Sequence, residues 1–156
     1  MSTTENRGPV IIGSDHAAFQ LKEIVKAYLL GQGLRVEDVG TQSMDSVDYP
    51  DIAMKVADPV SRGAYPVGIL LCGTGIGMSM VANKFPHVRA ALCNDIFSAI
   101  MSRRHNNANI LAMGGRVIGD VLALEIVKSW LATPYEGGRH QRRVEKFETL
   151  EKMRPC

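Results

Sequence analysis

Apolar positions along this chain follow two alternating rhythms. Short runs rich in β-branched and other apolar residues, over Pro9–Gly13, Leu34–Val39, Val67–Cys72, Val88–Cys93 and Asn109–Met113, read as strands. Between them, apolar residues recur at helical spacing. Ala18, Leu21, Val25, Tyr28 and Leu29 mark a helix over 17–30, with Ser14 or Asp15 to cap its start and Gly31 or Gly33 to end it. A polar loop over 40–49 leads to Pro50, which suits the first turn of a helix reaching about Arg62. Further helices are expected over about Gly77–Asn83, Ile96–Arg104 and Asp120–Leu131, the last with Leu124, Val127 and Leu131 on one stripe. After Pro134 and Gly137-Gly138 comes a helix over about Arg139–Met153, too polar for a core element and expected to reach toward a partner subunit.

Strands alternating with helices imply right-handed βαβ units and a parallel sheet. The expected architecture is α/β: a Rossmann-like three-layer sandwich around a five-stranded parallel sheet, forming one domain over 1–156 with a polar extension at 1–8. Val67–Cys72 is apolar throughout, as befits a strand covered on both faces.

Composition narrows the partners. A chain of 156 residues, 46% hydrophobic and 22% charged, suits one domain with a real core. A net charge of +2, with four Tyr, four Phe and one Trp, argues against nucleic-acid binding. No apolar run approaches the roughly 18 residues that span a bilayer. The first eight residues lack the apolar core of a signal peptide. Three widely spaced cysteines do not form a disulfide framework, which favours a reducing compartment. A cytoplasmic protein with no membrane partner is expected.

In open α/β sheets, ligands bind at the carboxyl ends of the strands. There fall Asp15 and His16, Asp48 and Tyr49, Cys72–Gly77, and Gly114, Gly115 and Arg116. Glycines at 73, 75 and 77 alternate through a loop that opens a helix, so backbone N–H groups there can cradle an anion. The same positive potential favours the thiolate of a cysteine at the loop's mouth. Plainer readings exist: Cys72 as a small buried apolar group, Asp15 as a cap, Tyr49 as loop packing. Cys93 and Cys156 lack the setting of Cys72. Arg139 and Arg143 share one helix face and can clamp a phosphate, with Arg116 as a third cation and Arg142 pointing elsewhere. His105 and Asn106 close the fourth helix, near the opposite edge of the sheet, and reach the same site only through a bend or from another subunit. The glycine spacing departs from the dinucleotide-binding fingerprint, and no Cys/His spacing fits zinc.

Seven stretches carry a resemblance. They are Gly13-Ser14-Asp15-His16, Asp48-Tyr49-Pro50, Cys72-Gly73-Thr74-Gly75-Ile76-Gly77, Ala82-Asn83-Lys84, Ser102-Arg103-Arg104-His105-Asn106, Gly115-Arg116-Val117 and Tyr135-Glu136-Gly137-Gly138-Arg139-His140. In this order, from about Val10 to Lys152, the chain resembles the type B ribose-5-phosphate isomerases, a group that includes subunits of galactose-6-phosphate isomerase. The resemblance implies an aldose–ketose isomerase, free of metal and cofactor, that interconverts ribose 5-phosphate and ribulose 5-phosphate through an enediolate. It implies Cys72 as the base between C2 and C1 and His105 as the ring-opening acid, with Thr74 nearby. Asp15 and His16 would contact the sugar and phosphate end. Gly73, Thr74, Gly75, Ile76, Gly77 and Asn106 would hold the reacting end, and Arg116, Arg139 and Arg143 the phosphate; Tyr49 is a further substrate-contact candidate. The family works as a homodimer or dimer of dimers with sites shared across an interface, so His105 would come from the neighbouring subunit. Some relatives use a glutamate past the loop in place of the cysteine. Ile76–Val81 contains no acid, which puts this chain on the cysteine branch. The loop over 41–47 has no match, so a six-carbon substrate such as galactose 6-phosphate or allose 6-phosphate stays open. A phosphosugar-binding module without turnover is a third reading, disfavoured because Cys72 and His105 are both present.

Overall fold

Apolar strands and amphipathic helices alternate in the computed structural model, which describes residues 8–153. The strands are β1 (Val10–Ser14), β2 (Val36–Asp38), β3 (Val67–Cys72), β4 (Ala90–Leu92) and β5 (Ile110–Gly114). The helices are α1 (Phe19–Gly31), α2 (Tyr49–Ser61), α3 (Ile76–Ala82), α4 (Ile96–Asn106), α5 (Asp120–Ala132) and α6 (Arg139–Lys152), with a short 3-10 turn over His16–Ala18 before α1. All strand pairs are parallel and the order is β2-β1-β3-β5-β4. This is the expected three-layer architecture. No helix among the described residues is long and apolar enough to cross a membrane.

Strand parity decides which layer each side chain joins. Ile12, Ile69, Leu71, Leu111 and Met113 pack with Leu21, Val25, Ala99, Ile126 and Trp130, on the side of α1, α4 and α5. Ile11, Leu70, Cys72, Ile110 and Ala112 pack with Ile52, Val56, Met78 and Ala82, on the side of α2 and α3. Cys72 is thus the last inward residue of β3 on the α2/α3 face. The edge strands are shorter than their apolar runs, because each pairs on one side only. Leu34, Val88 and Cys93 stay buried beyond the ladder.

α1 places one charge where periodicity predicts an apolar side chain. Lys22 is fully buried, and its Nζ donates to Asp38 Oδ2 at 2.6 Å and to Glu23 Oε1 at 2.9 Å. Lys26 Nζ reaches the same two carboxylates at 2.7 and 2.8 Å. Asp38 Oδ1 also accepts the Gly40 N–H at 3.0 Å, while Gly40 O accepts the Ser14 N–H at 2.7 Å. The Thr41 N–H donates to Ser14 O at 2.7 Å. This network pins the segment after β2 to the end of β1.

Burial pushes the Asp38 carboxyl up from its ordinary 3.8, but hydrogen bonds from Lys22, Lys26 and Gly40 more than reverse it, so the net direction is down. Hydrogen bonds from Lys26 and Lys22 lower Glu23 as well. Hydrogen bonds to Asp38 and Glu23 raise Lys26. Carboxylates with lowered folded-state affinity for protons stabilise above their unfolded pKa, and that contribution is lost as pH falls through the folded one. Lys26 has the opposite sign: its contribution is lost only as pH climbs past 10.5. Asp38→Asn leaves Lys22 buried without its main counter-charge and is expected to cost about 3 kcal/mol. Lys22→Met costs less, because Lys26 still neutralises Asp38. Urea unfolding from pH 7 down to pH 3 checks this. The gap between wild type and Asp38→Asn should narrow as the carboxylates protonate.

Candidate active site

The parallel sheet gathers strand ends, and with them most of the polar candidates, at one edge. β3 ends at Cys72, which is 5% exposed, and the chain enters α3 through Gly75 at φ +79°. A Cβ on Gly75 would lie 2.6 Å from Leu92 Cδ1 and 2.8 Å from the Met113 carbonyl carbon, so only glycine fits between β4 and β5. The turn carries the Gly75 N–H to Cys72 Sγ at 3.1 Å. The Ile76 N–H is engaged by Thr74 Oγ1 at 3.2 Å. This leaves the N–H groups of Gly73, Thr74 and Gly77 without an acceptor among the described residues, fewer open donors than the loop's length implies.

The turn after β5 is bonded to this loop. The Gly115 N–H donates to Cys72 O at 2.8 Å and the Arg116 N–H to Gly73 O at 3.0 Å. The exposed Arg116 side chain folds back over Gly73, its NH1 3.7 Å from where a Cβ would sit. Asn94 braces the other side, accepting the Gly114 N–H at 3.1 Å. The Tyr49 ring packs directly on Gly77. Asp15 is buried and caps the 3-10 turn, accepting the Ala18 N–H at 3.3 Å. His16 Nδ1 accepts the Val47 N–H at 3.2 Å, so in the neutral ring the proton sits on Nε2. Asp15, His16, Tyr49, Cys72–Gly77 and Arg116 therefore share one edge of the sheet.

His105, Asn106, Arg139 and Arg143 do not join them. α4 starts at that edge, where Asp95 Oδ1 accepts the Ser98 N–H at 2.6 Å, and runs back along the sheet. It ends at Asn106, just before β5 begins, with Asn107 at φ +48° closing the helix. A five-residue strand then separates His105 from the Cys72 edge, a span of roughly 16 Å at about 3.3 Å per residue.

Around His105 stands a second cluster. Its ring stacks on that of His140, with centroids 4.2 Å apart and planes 10° from parallel. Glu136 Oε2 lies 3.7 Å from His140 Nε2, and Glu136 Oε1 lies 3.6 Å from Arg104 Nε. Ligand atoms of His105, Glu136 and His140 fall within 4.8 Å of one another, a spacing a metal ion could use. Arg104, Arg139 and Arg143 crowd the same cluster, and their charge favours an anion. Glu136 and His140 fall in one of the resemblance stretches, but the sequence assigns neither a role. Their place in this cluster follows from the Gly137-Gly138 pair, whose φ of +63° and +53° turns the chain back onto α4.

The remaining thiol differs from Cys72. Burial pushes Cys93 up to about 11, with a hydrogen bond to Ser102 opposing. It is an inert core group. Asn109 and Asn83 brace turns: Asn109 Oδ1 accepts the Arg89 N–H at 2.8 Å, and Asn83 pairs both ways with Ala90 at 2.8 and 2.9 Å. Cys156 lies outside the described residues.

Comparison with known proteins supplies the chemistry's name. The family model described as Ribose/Galactose Isomerase matches residues 10–147. Ribose-5-phosphate isomerase B of Escherichia coli is 48% identical over 145 residues, covering 93% of this chain and 97% of the relative. D-erythrulose-4-phosphate isomerase of Pectobacterium atrosepticum is 46% identical, covering 91% and 94%. The crystal structure of ribose-5-phosphate isomerase B from Mycoplasma genitalium with bound ribulose-5-phosphate superposes with a TM-score of 0.91 at 40% identity, covering 94% of this chain and 97% of that one. With such identity across nearly the whole of both chains, the protein belongs to the ribose/galactose isomerase family and is a sugar-phosphate isomerase.

Proposed function

We propose that this enzyme interconverts D-ribose 5-phosphate and D-ribulose 5-phosphate, with Cys72 as the base, at a site completed by a second copy of the chain. The observation that carries this reading is the division of the chemistry. The thiol, its loop donors and Arg116 stand at one edge of the sheet. The stacked His105 and His140 imidazoles and the Arg139/Arg143 pair stand at the other. Neither half holds the whole set: the Cys72 edge lacks His105 and the Arg139/Arg143 pair, and the His105 cluster lacks the thiol and its loop.

Each half has a task. Ribose 5-phosphate is mainly a furanose, and the C2 proton becomes acidic only once C1 is a carbonyl. As the C1–O4 bond breaks, the anomeric hydroxyl gives up its proton and O4 takes one; His105 and Asn106 of the second copy serve that exchange. Cys72 then removes the proton from C2, and negative charge develops on O1. The open N–H groups of Gly73, Thr74 and Gly77 suit that oxyanion. The O2 proton passes to O1 and the protonated thiol returns its proton to C1, so C2 becomes the carbonyl of the ketose. Asp15, His16, Tyr49 and Thr74 line the reacting edge. Arg116 from one copy, and Arg139 and Arg143 from the other, hold the phosphate and fix C1 and C2 over the sulfur.

The carboxyl edge also presents the surface that such a partner needs. Ile76, Leu92, Ile96, Phe97, Val117 and Val121 stand exposed around the Cys72 loop, Phe97 at 72% and Val121 at 74%. An apolar rim beside an incomplete site fits a second copy placing its His105 cluster there.

Assay of the purified protein with ribose 5-phosphate, with a six-carbon phosphate as control, tests the reading. Turnover of the pentose is expected to survive chelators. Cys72→Ala should lower kcat by about a thousandfold, the scale of a lost general base. Arg116→Ala and Arg139→Ala should raise KM by about tenfold or more with smaller changes in kcat. Turnover of the hexose alone, or an unchanged Cys72→Ala, overturns the substrate or the base.

A further inference from the structure

An imidazole that opens a sugar ring has to hold one orientation, yet His105 stands in the last turn of α4, where its χ2 torsion is broad. His140 supplies the missing constraint. Its ring is 5% exposed and lies almost parallel to that of His105 at 4.2 Å. The backbone around it is fixed on both sides. The His140 N–H donates to Gly137 O at 2.9 Å, and the Glu136 N–H donates to Arg104 O at 3.1 Å, tying the turn before α6 to the end of α4.

The protonation state of His140 matters as much as its place. Arg139 Nε donates to His140 Nε2 at 3.4 Å, which requires a lone pair on that nitrogen. Burial lowers the proton affinity of His140 below its ordinary value. His105, Arg139 and Arg143 act in the same direction, and Glu136 opposes them. The other charged group at the cluster is Arg104, which faces Glu136. A neutral His140 offers His105 a π face in place of a positive charge.

We propose that His140 is a positioning residue for ring opening: its ring stacks on His105 and holds that imidazole in the orientation needed to exchange protons with the sugar's ring oxygen and anomeric oxygen. This rests on the ring-opening role given to His105 above. The reaction itself provides a way to isolate that step. Ribose 5-phosphate enters as a closed ring. Ribulose 5-phosphate carries its carbonyl at C2 and its phosphate on O5, so no free hydroxyl can close a five- or six-membered ring. Exchange of a C1 proton of the ketose with solvent deuterium needs proton transfer by Cys72 but neither ring opening nor ring closure.

Isomerisation of ribose 5-phosphate and deuterium wash-in at C1 of ribulose 5-phosphate are therefore measured for the wild type, His105→Ala, His140→Ala and His140→Phe. The His140→Ala isomerisation rate is expected to fall on the order of tenfold, the scale of a misoriented catalytic group. Its wash-in rate should stay within about twofold of wild type. His140→Phe, which keeps a flat ring against His105, should recover most of the lost isomerisation. Equal losses in both rates, no loss in either, or a phenylalanine variant as slow as alanine would overturn the positioning role. If His105→Ala also fails to separate the two rates, the ring-opening role of His105 falls. A wild type inactive in both assays sinks the proposed reaction instead.

Discussion

Every strand of this sheet runs the same way, and the rest of the molecule follows from that constraint. Parallel strands leave all their carboxyl ends at one edge, so each connection must carry the chain back to the other. Cys72, Asp15, His16 and Arg116 follow strands and collect at the first edge. His105 ends a returning helix and is delivered to the second. A single domain of this kind cannot bring the two together, because the sheet's own length stands between them. The fold thereby keeps two polar clusters apart.

Rigidity at the Cys72 edge begins with the backbone. The loop after β3 and the turn after β5 hydrogen-bond to each other through Gly115 and Arg116, and pack so closely that Gly75 admits no Cβ. The Lys22–Asp38 network fixes the neighbouring segment from a distance, through Gly40 and Ser14. A buried lysine is expensive in isolation; two carboxylates and a second lysine make it a clamp on loop geometry. Preorganised donors that need not move during reaction are what a developing enediolate requires.

Most of the fold was legible because strand and helix rhythms were clean and the glycine-rich loops fell at strand ends. Edge strands were overestimated, since an apolar run records burial while a ladder also needs a partner. Lys22 was hidden: it sits on the apolar stripe of α1, and nothing local announces that Asp38 lies opposite. His140 was hidden for the converse reason, a buried ring within a run of charges, revealed only once the 137–138 turn folds α6 back on α4. The placement of His105 away from Cys72 followed correctly from chain direction alone.

Subunit complementation tests that meeting most directly. Cys72→Ala and His105→Ala proteins, each inactive or nearly so with ribose 5-phosphate, are mixed, unfolded and refolded together. If each site joins the Cys72 edge of one copy to the His105 cluster of another, half of randomly formed dimers are mixed and each contains one intact site. Activity should then return to about a quarter of wild type. Refolded mixtures that form mixed dimers but stay at the level of the separate variants would show that each site is built within one chain, and would contradict the account.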